Sequence, residues 1–230
     1  MIFFVIISAI YMGILVFYRP APESLKGASP SLLENLQQIK ASLCVGTILL
    51  FIYLVMTGFT YKEIDKSLYA IFGLNNVKDA AILWPFQVFT HLFIHINLYH
   101  LLSNVLGVGL ASIYERRVGS KRYLVVLMVG AFSSIPSIFF YTEPIIVSGI
   151  SGGVFALAAA YFTDHKNLTI KEWIYAILSF LFLAIIFSLD GERKMAGKEE
   201  LIGQVDHIGH VLGALGGVIY CRLVPLKTKN

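Results

Sequence analysis

Residues Val147 to Ala160 read V-S-G-I-S-G-G-V-F-A-L-A-A-A. One serine, Ser151, stands between Gly149 and Gly152 at the head of an apolar run. A hydroxyl there is odd for a helix facing lipid and natural for a nucleophile. The glycines let other backbone come close, and the serine sits at one end of the segment, where water can reach. The competing reading is a packing ridge, because small-xxx-small spacing continues through Gly152, Ala156 and Ala160. The choice turns on whether the rest of the chain supplies a base and donors for an oxyanion.

The surrounding composition sets the medium. The chain has 230 residues, of which 57% are hydrophobic and only 14% charged, against about 25% charged in soluble domains. The apolar residues come in long runs, so the expected fold class is all-α, a polytopic bundle of membrane helices. The net charge of +4 reads as a topology signal and not as a nucleic-acid footprint. The two cysteines, Cys44 and Cys221, read as buried thiols, without a disulfide framework or a cysteine-based metal site.

Seven apolar segments are expected, near 2–18, 43–60, 97–114, 121–141, 149–163, 168–189 and 206–224. Residues 2–18 lack a basic flank and a cleavage site, so they read as a retained helix and not a signal peptide. The 149–163 run is the shortest, which suits a helix that starts below the membrane surface in a protein-lined cavity. Residues 61–96 form a long connector with Trp84, Pro85 and several aromatics, a length that points to a functional or interfacial role. With the serine end of 149–163 facing outward, inward connectors hold twelve of the 18 Lys and Arg residues. The positive-inside rule then puts the C-terminus in the cytoplasm and the N-terminus outside. The expected divisions are 1–42 (first helix and connector), 43–224 (six-helix membrane domain) and 225–230 (short basic tail).

Polar groups within membrane segments are costly and default to functional suspicion. In D-H-I-G-H-V-L-G-A-L-G-G, Asp206 to Gly217, two histidines compete as base. Gly213 and Gly217 are i+3 and i+7 from His210, so the three share a helix face. A glycine face lets the helix approach another closely, and the small residues after Ser151 are the obvious partner. His207 lies further round and reads as a surface or entrance residue. Asp206 is i−4 from His210 but near the surface, which favours a Ser–His dyad over a triad. His210 bonded merely to a backbone carbonyl is the bland alternative.

The third cluster runs from Thr90 to Asn104. His100 and Asn104 are i, i+4, and both donate hydrogen bonds. Donors aimed at one point suit a developing oxyanion. A zinc site from His91, His95 and His100 is the alternative, since His91 and His95 are also i, i+4. The i+5 step to His100 breaks that face and no carboxylate lies among them, so His91 and His95 read as shaping the connector. Ser151, His210 and the His100/Asn104 pair, with the Ser151 N–H, supply the parts of serine hydrolysis. The scheme calls for no cofactor and no metal.

With these residues in view, the chain resembles the rhomboid family of intramembrane serine proteases. The resemblance covers roughly 43–224. It rests on G-x-S-G at Gly149 to Gly152, H-x-x-G-x-x-x-G at His210, Gly213 and Gly217, and H-x-x-x-N at His100 and Asn104, with His95 upstream. Trp84 to His91 resembles the family's first loop, and Tyr114 to Ser120 its turn between the second and third helices. The resemblance implies a Ser151–His210 dyad reached by water from the outer face, cutting single-pass membrane proteins near their outer boundary. Two positions depart from it. Pro85-Phe86-Gln87 stands where the family loop often has Trp-Arg, and Phe155 stands where some members carry a tyrosine that packs on the imidazole. A non-catalytic relative that binds client helices is the second reading. Substrate identity and oligomeric state are not written in the sequence.

Overall fold

The computed structural model describes residues 6, 9–11, 13, 31–60, 62–164, 169–171, 173–174, 177–178, 181, 185 and 205–226. The expected segments 2–18 and 168–189 fall mostly outside them.

A short helix, α1 (Leu32–Gln38), opens the described core. Ser31 caps it: its side chain accepts from the Glu34 N–H while the Glu34 carboxylate accepts from the Ser31 N–H, a reciprocal capping box. The chain then bends by 72° into α2 (Lys40–Met56). This helix starts three residues before the expected segment and ends in a left-handed pair, Gly58 and Phe59. Its first N–H groups find an acceptor far along the chain. The Glu115 carboxylate takes bonds from Ala41 N (2.8 Å), Ser42 N (2.9 Å) and Ser42 Oγ (2.6 Å), satisfying donors that a helix start leaves open.

The connector that follows is folded, not loose. It contains α3 (Lys66–Phe72), strand β1 (Leu74–Asn75), a 3-10 turn over Lys78–Leu83, and α4 (Trp84–Thr90) with Pro85 in its first turn. β1 pairs antiparallel with β2 (Ile146–Val147), Leu74 opposite Val147 and Asn75 opposite Ile146. Asn76 extends the grip: its Oδ1 accepts from Ile145 N (2.8 Å), and its Nδ2 donates to the carbonyls of Tyr141 and Glu143. Gln87 is fully buried and donates to the carbonyls of Ala70 and Ile71.

The expected 97–114 segment is a near-continuous pair, α5 (Leu98–Leu110) and α6 (Ser112–Val118). Gly119, at φ +82°, reverses the chain into α7 (Ser120–Ser133), which tightens into a 3-10 turn over Ile135–Phe140. Ser120–Phe140 is long and apolar enough to cross a bilayer unaided. Leu32–Met56 and Ala81–Val118 pass the same test only as bent pairs, at 72° and 73°. Then come α8 (Ser151–Thr163) and, last among the described elements, α9 (His207–Leu223). α8 is central. It packs on α7 and α9, and every side chain from Ser151 to Leu157 is buried.

Small residues make that packing close. A Cβ on Gly217 would sit 2.9 Å from Ala156 Cα, and one on Gly213 would meet Gly152 Cα at 2.7 Å. On the other flank, a Cβ on Gly152 would come within 2.6 Å of Ser134 Cβ. Neither sulfur is bridged. Cys221 is buried, whereas Cys44 points outward from α2, contrary to the expectation of two buried thiols. In a membrane helix an outward face meets lipid, so an apolar sequence does not by itself mean a buried side chain.

Candidate active site

Ser151 is the first residue of α8. The chain reaches it through Gly149, whose φ of +92° suits only glycine. Three contacts from the connector fix that approach. Gly149 N donates to the His91 carbonyl at 2.7 Å, the hydroxyls of Tyr69 and Ser148 lie 2.8 Å apart, and β1 pairs with β2 just upstream. The helix then turns at once, with Gly153 N and Val154 N both donating to the Ile150 carbonyl. Ser151 and Gly152 therefore sit in a first turn whose N–H groups have no acceptor within the helix.

α9 brings the imidazole. His210 Nε2 lies 2.9 Å from Ser151 Oγ, across 59 residues of sequence, and both residues are 8% exposed. The Gly213 and Gly217 contacts described above set the approach of α9 to α8 and so the reach of His210. Phe155 stacks on the imidazole, with ring centroids 4.4 Å apart and planes inclined by 15°. The ring stands where the sequence has no tyrosine, and the stacking needs no hydroxyl.

Both carboxylate oxygens of Asp206 are engaged at a helix start. The residue is the N-cap of α9: its Oδ1 accepts from Gly209 N (2.7 Å) and from the Tyr141 hydroxyl (2.9 Å), and its Oδ2 accepts from the Ser137 hydroxyl. Its carboxylate ties the start of α9 to the turn after α7. His207 is exposed at the start of α9, its ring perpendicular to that of His210 at 6.2 Å.

His100 and Asn104 both lie on α5. Asn104 is fully buried and donates through Nδ2 to the His100 carbonyl at 3.0 Å. The His100 imidazole faces the approach to Ser151: a Cβ on Gly149 would stand 2.9 Å from His100 Nε2 and 3.3 Å from His95 Nε2. The two imidazoles meet edge to face at 5.0 Å. His91 and His95 do not share a helical face. The chain passes from a 3-10 turn over His91–Phe93 into extended backbone at Ile94, so i, i+4 spacing loses its meaning there. His91 Nδ1 is 2.7 Å from the Gln87 carbonyl. Among the described residues, no three His, Cys, Asp or Glu side chains are grouped to hold a metal.

The sequence reading passed over Tyr69, Asn76, Ser137 and Tyr141. Asp206 before a glycine-rich apolar run was a legible helix cap, but its two hydroxyl donors carry no local signal.

No curated protein matches the chain. The family model for the Rhomboid domain matches residues 83–226, a stretch that takes in Ser151, His210, His100 and Asn104 with the glycines around them. More than half of the chain falls within that match, and the chain belongs to the rhomboid family.

Proposed function

We propose that the protein is an intramembrane serine endopeptidase that cuts single-pass membrane proteins near the outer boundary of the bilayer. The observation that carries this reading is the 2.9 Å approach of His210 Nε2 to Ser151 Oγ, at the buried head of α8. Membership of a family that consists mostly of such proteases, some of them inactive, supports it.

In the first step, Ser151 Oγ bonds to the scissile carbonyl carbon as its proton passes to His210 Nε2. The carbonyl oxygen takes the negative charge, and the Ser151 N–H, His100 and the second Nδ2 hydrogen of Asn104 hold it. The carbon–nitrogen bond then breaks, and His210 gives the proton to the leaving amine. A water attacks the acyl-enzyme, His210 takes its proton, and that proton returns to Ser151 Oγ as the new carboxylate leaves. Packing orients the His210 imidazole. Phe155 holds its plane, and α9 sets its height.

The membrane orientation follows the same reading. α8 and α9 both begin at the bundle end that carries Ser151. Lys40, Arg117, Lys121 and Arg222 lie at the helix ends opposite, all exposed. That distribution favours a cytoplasmic end for the basic residues, in a cell membrane, with the serine opening outward.

The test is labelling of purified protein by a fluorophosphonate, beside cleavage of a transmembrane substrate. Wild type is expected to label and cleave, while Ser151→Ala and His210→Ala lose cleavage by about 10⁴-fold or more. A folded wild type that neither labels nor cleaves, yet binds client helices, would replace the protease reading with the non-catalytic one.

A further inference from the structure

His210 has to stand at the right height along the bundle as well as at the right distance from α8, and different contacts govern the two. The seam of α8 and α9 is glycine against backbone. A Cβ on Gly213 would meet Gly152 Cα at 2.7 Å, and one on Gly217 would meet Ala156 Cα at 2.9 Å. Such a surface sets how near the two axes come. The glycines offer no side chain to catch between neighbours, so they oppose sliding along the axis only weakly. A slide by the rise of one residue, about 1.5 Å, is enough to break the 2.9 Å approach of His210 Nε2 to Ser151 Oγ.

Hydrogen bonds are directional and resist such a slide. They stand at both ends of α9 and run to α7 or the turn after it. At the Ser151 end, the Asp206 carboxylate accepts from the Tyr141 hydroxyl at 2.9 Å and from the hydroxyl of the fully buried Ser137. Gly209 makes room for it, since a Cβ there would stand 2.6 Å from Asp206 Cγ. His210 N donates to the Asp206 carbonyl at 3.0 Å, so the anchored residue lies one helical turn from the imidazole. At the other end, Arg122 of α7 donates through Nη1 to the carbonyl of Val224, the C-cap of α9, at 2.7 Å. Asp164, the C-cap of α8, holds that guanidinium through Nε and Nη2 at 2.6 Å each.

The outer tie reaches the serine as well. Ile138, in the same turn as Ser137, packs with Leu74, Ile145 and Val147, around the strand pair that leads to Gly149. The Tyr141 carbonyl accepts from Asn76 Nδ2 at 3.2 Å. One turn after α7 therefore holds the approach to Ser151 on one side and the start of the His210 helix on the other.

We propose that Asp206 is a positioning residue for the dyad: gripped by Ser137 and Tyr141, it fixes the axial height of α9 and so the reach of His210 Nε2 to Ser151 Oγ. The effect on turnover rests on the protease reading, whereas the placement of α9 does not.

Two measurements on the full chain test the two parts. The rate of fluorophosphonate labelling per folded molecule is expected to fall about tenfold, and at most about a hundredfold, in Ser137→Ala combined with Tyr141→Phe. Tyr141→Phe alone keeps the ring, is expected to show a smaller fall, and carries the test if the double variant does not fold. Asp206→Ala is expected to lose at least as much. Asp206→Asn, whose carboxamide oxygen can still accept from Gly209 N and Tyr141, is expected to recover most of the rate. With a transmembrane substrate, kcat falls and KM stays near the wild-type value. Glu115→Ala, destabilised at the opposite end, is expected to label at the wild-type rate per folded molecule, which separates lost positioning from lost stability. Wild-type labelling by Asp206→Ala or by the double variant would overturn the role in the dyad. The second measurement needs no activity. Spin labels on Leu124→Cys and Val211→Cys, exposed on α7 and α9, are placed in a Cys44→Ala background, Cys221 being buried. Double electron–electron resonance in vesicles is expected to give one narrow distance, shifted or broadened by about 1.5 Å or more on adding Tyr141→Phe and Ser137→Ala. An unchanged distribution would overturn the placement of α9 by this tie. A shifted distance in a protein whose wild type never labels would remove the protease reading and leave the placement standing.

Discussion

Gly149 meets two constraints at one atom. Its φ of +92° excludes an ordinary side chain, and a Cβ would stand 2.9 Å from His100 Nε2. Either alone is costly; a left-handed non-glycine residue stores about 1–3 kcal/mol. Gly149→Ala is therefore expected to push the His100 imidazole away from the approach to Ser151 and to strain the turn. Substrate turnover should fall by more than the modest drop in thermal midpoint explains. If Gly149→Ala keeps full activity and loses only stability, His100 has no part in holding the oxyanion. Ser151 itself was conspicuous in the sequence because one hydroxyl among glycines heads an apolar run. Tyr69, whose hydroxyl meets Ser148 at 2.8 Å, was not conspicuous at all. A tyrosine in a connector gives no sign of a partner 79 residues away.

Between elements, the seam of α8 and α9 decides where the imidazole stands. Gly213→Leu places a branched side chain where even a Cβ would meet Gly152 Cα at 2.7 Å. Overpacking of this kind costs about 1–3 kcal/mol, and here the helix can relieve it only by withdrawing, which carries His210 with it. Fluorophosphonate labelling should be lost while the helical circular dichroism is retained. Labelling at the wild-type rate would show that α9 is positioned by its cap at Asp206 and not by the glycine seam. This seam was legible, because helical periodicity puts His210, Gly213 and Gly217 on one face and the small residues after Ser151 at matching intervals. The connector was not legible. α3, β1 and α4 are held by the amides of Asn76 and Gln87 reaching backbone carbonyls, and such bonds follow no hydrophobic period. The i, i+4 spacing of His91 and His95 carried no information for the same reason, since periodicity means nothing until the segment is known to be a helix.

For the molecule as a whole, Glu115 is the main polar joint. Fully buried, it collects Ala41 N, Ser42 N, Ser42 Oγ and Ser120 Oγ, and so fastens α2, α6 and α7 at one end of the bundle. Glu115→Ala strands two backbone donors at a buried helix start, each at about 1–3 kcal/mol. Unfolding in a denaturing detergent series should shift by roughly 3 kcal/mol or more, while the Ser151–His210 end stays geometrically intact in whatever fraction remains folded. A shift below about 1 kcal/mol would mean that water replaces the carboxylate. The apolar runs and the bias of basic residues toward one end were readable in outline, but the joint was not. A glutamate beside two arginines at the end of a helix looks like an ordinary solvated charge.

Glu115 and Ser151 also differ in when their partners come into existence during synthesis. Ala41 and Ser42 precede Glu115 in the chain, and Ser120 follows it by only five residues, so this joint can close while the ribosome is still making α7. Ser151 has no such luck in timing. Its partner His210 comes 59 residues later, on α9, after every other described helix has been made. A nascent chain therefore gains its scaffold early and the contact between Ser151 and His210 last. Until α9 enters the bundle, a half-built protein among other newly inserted membrane proteins carries Ser151 with no imidazole of α9 beside it.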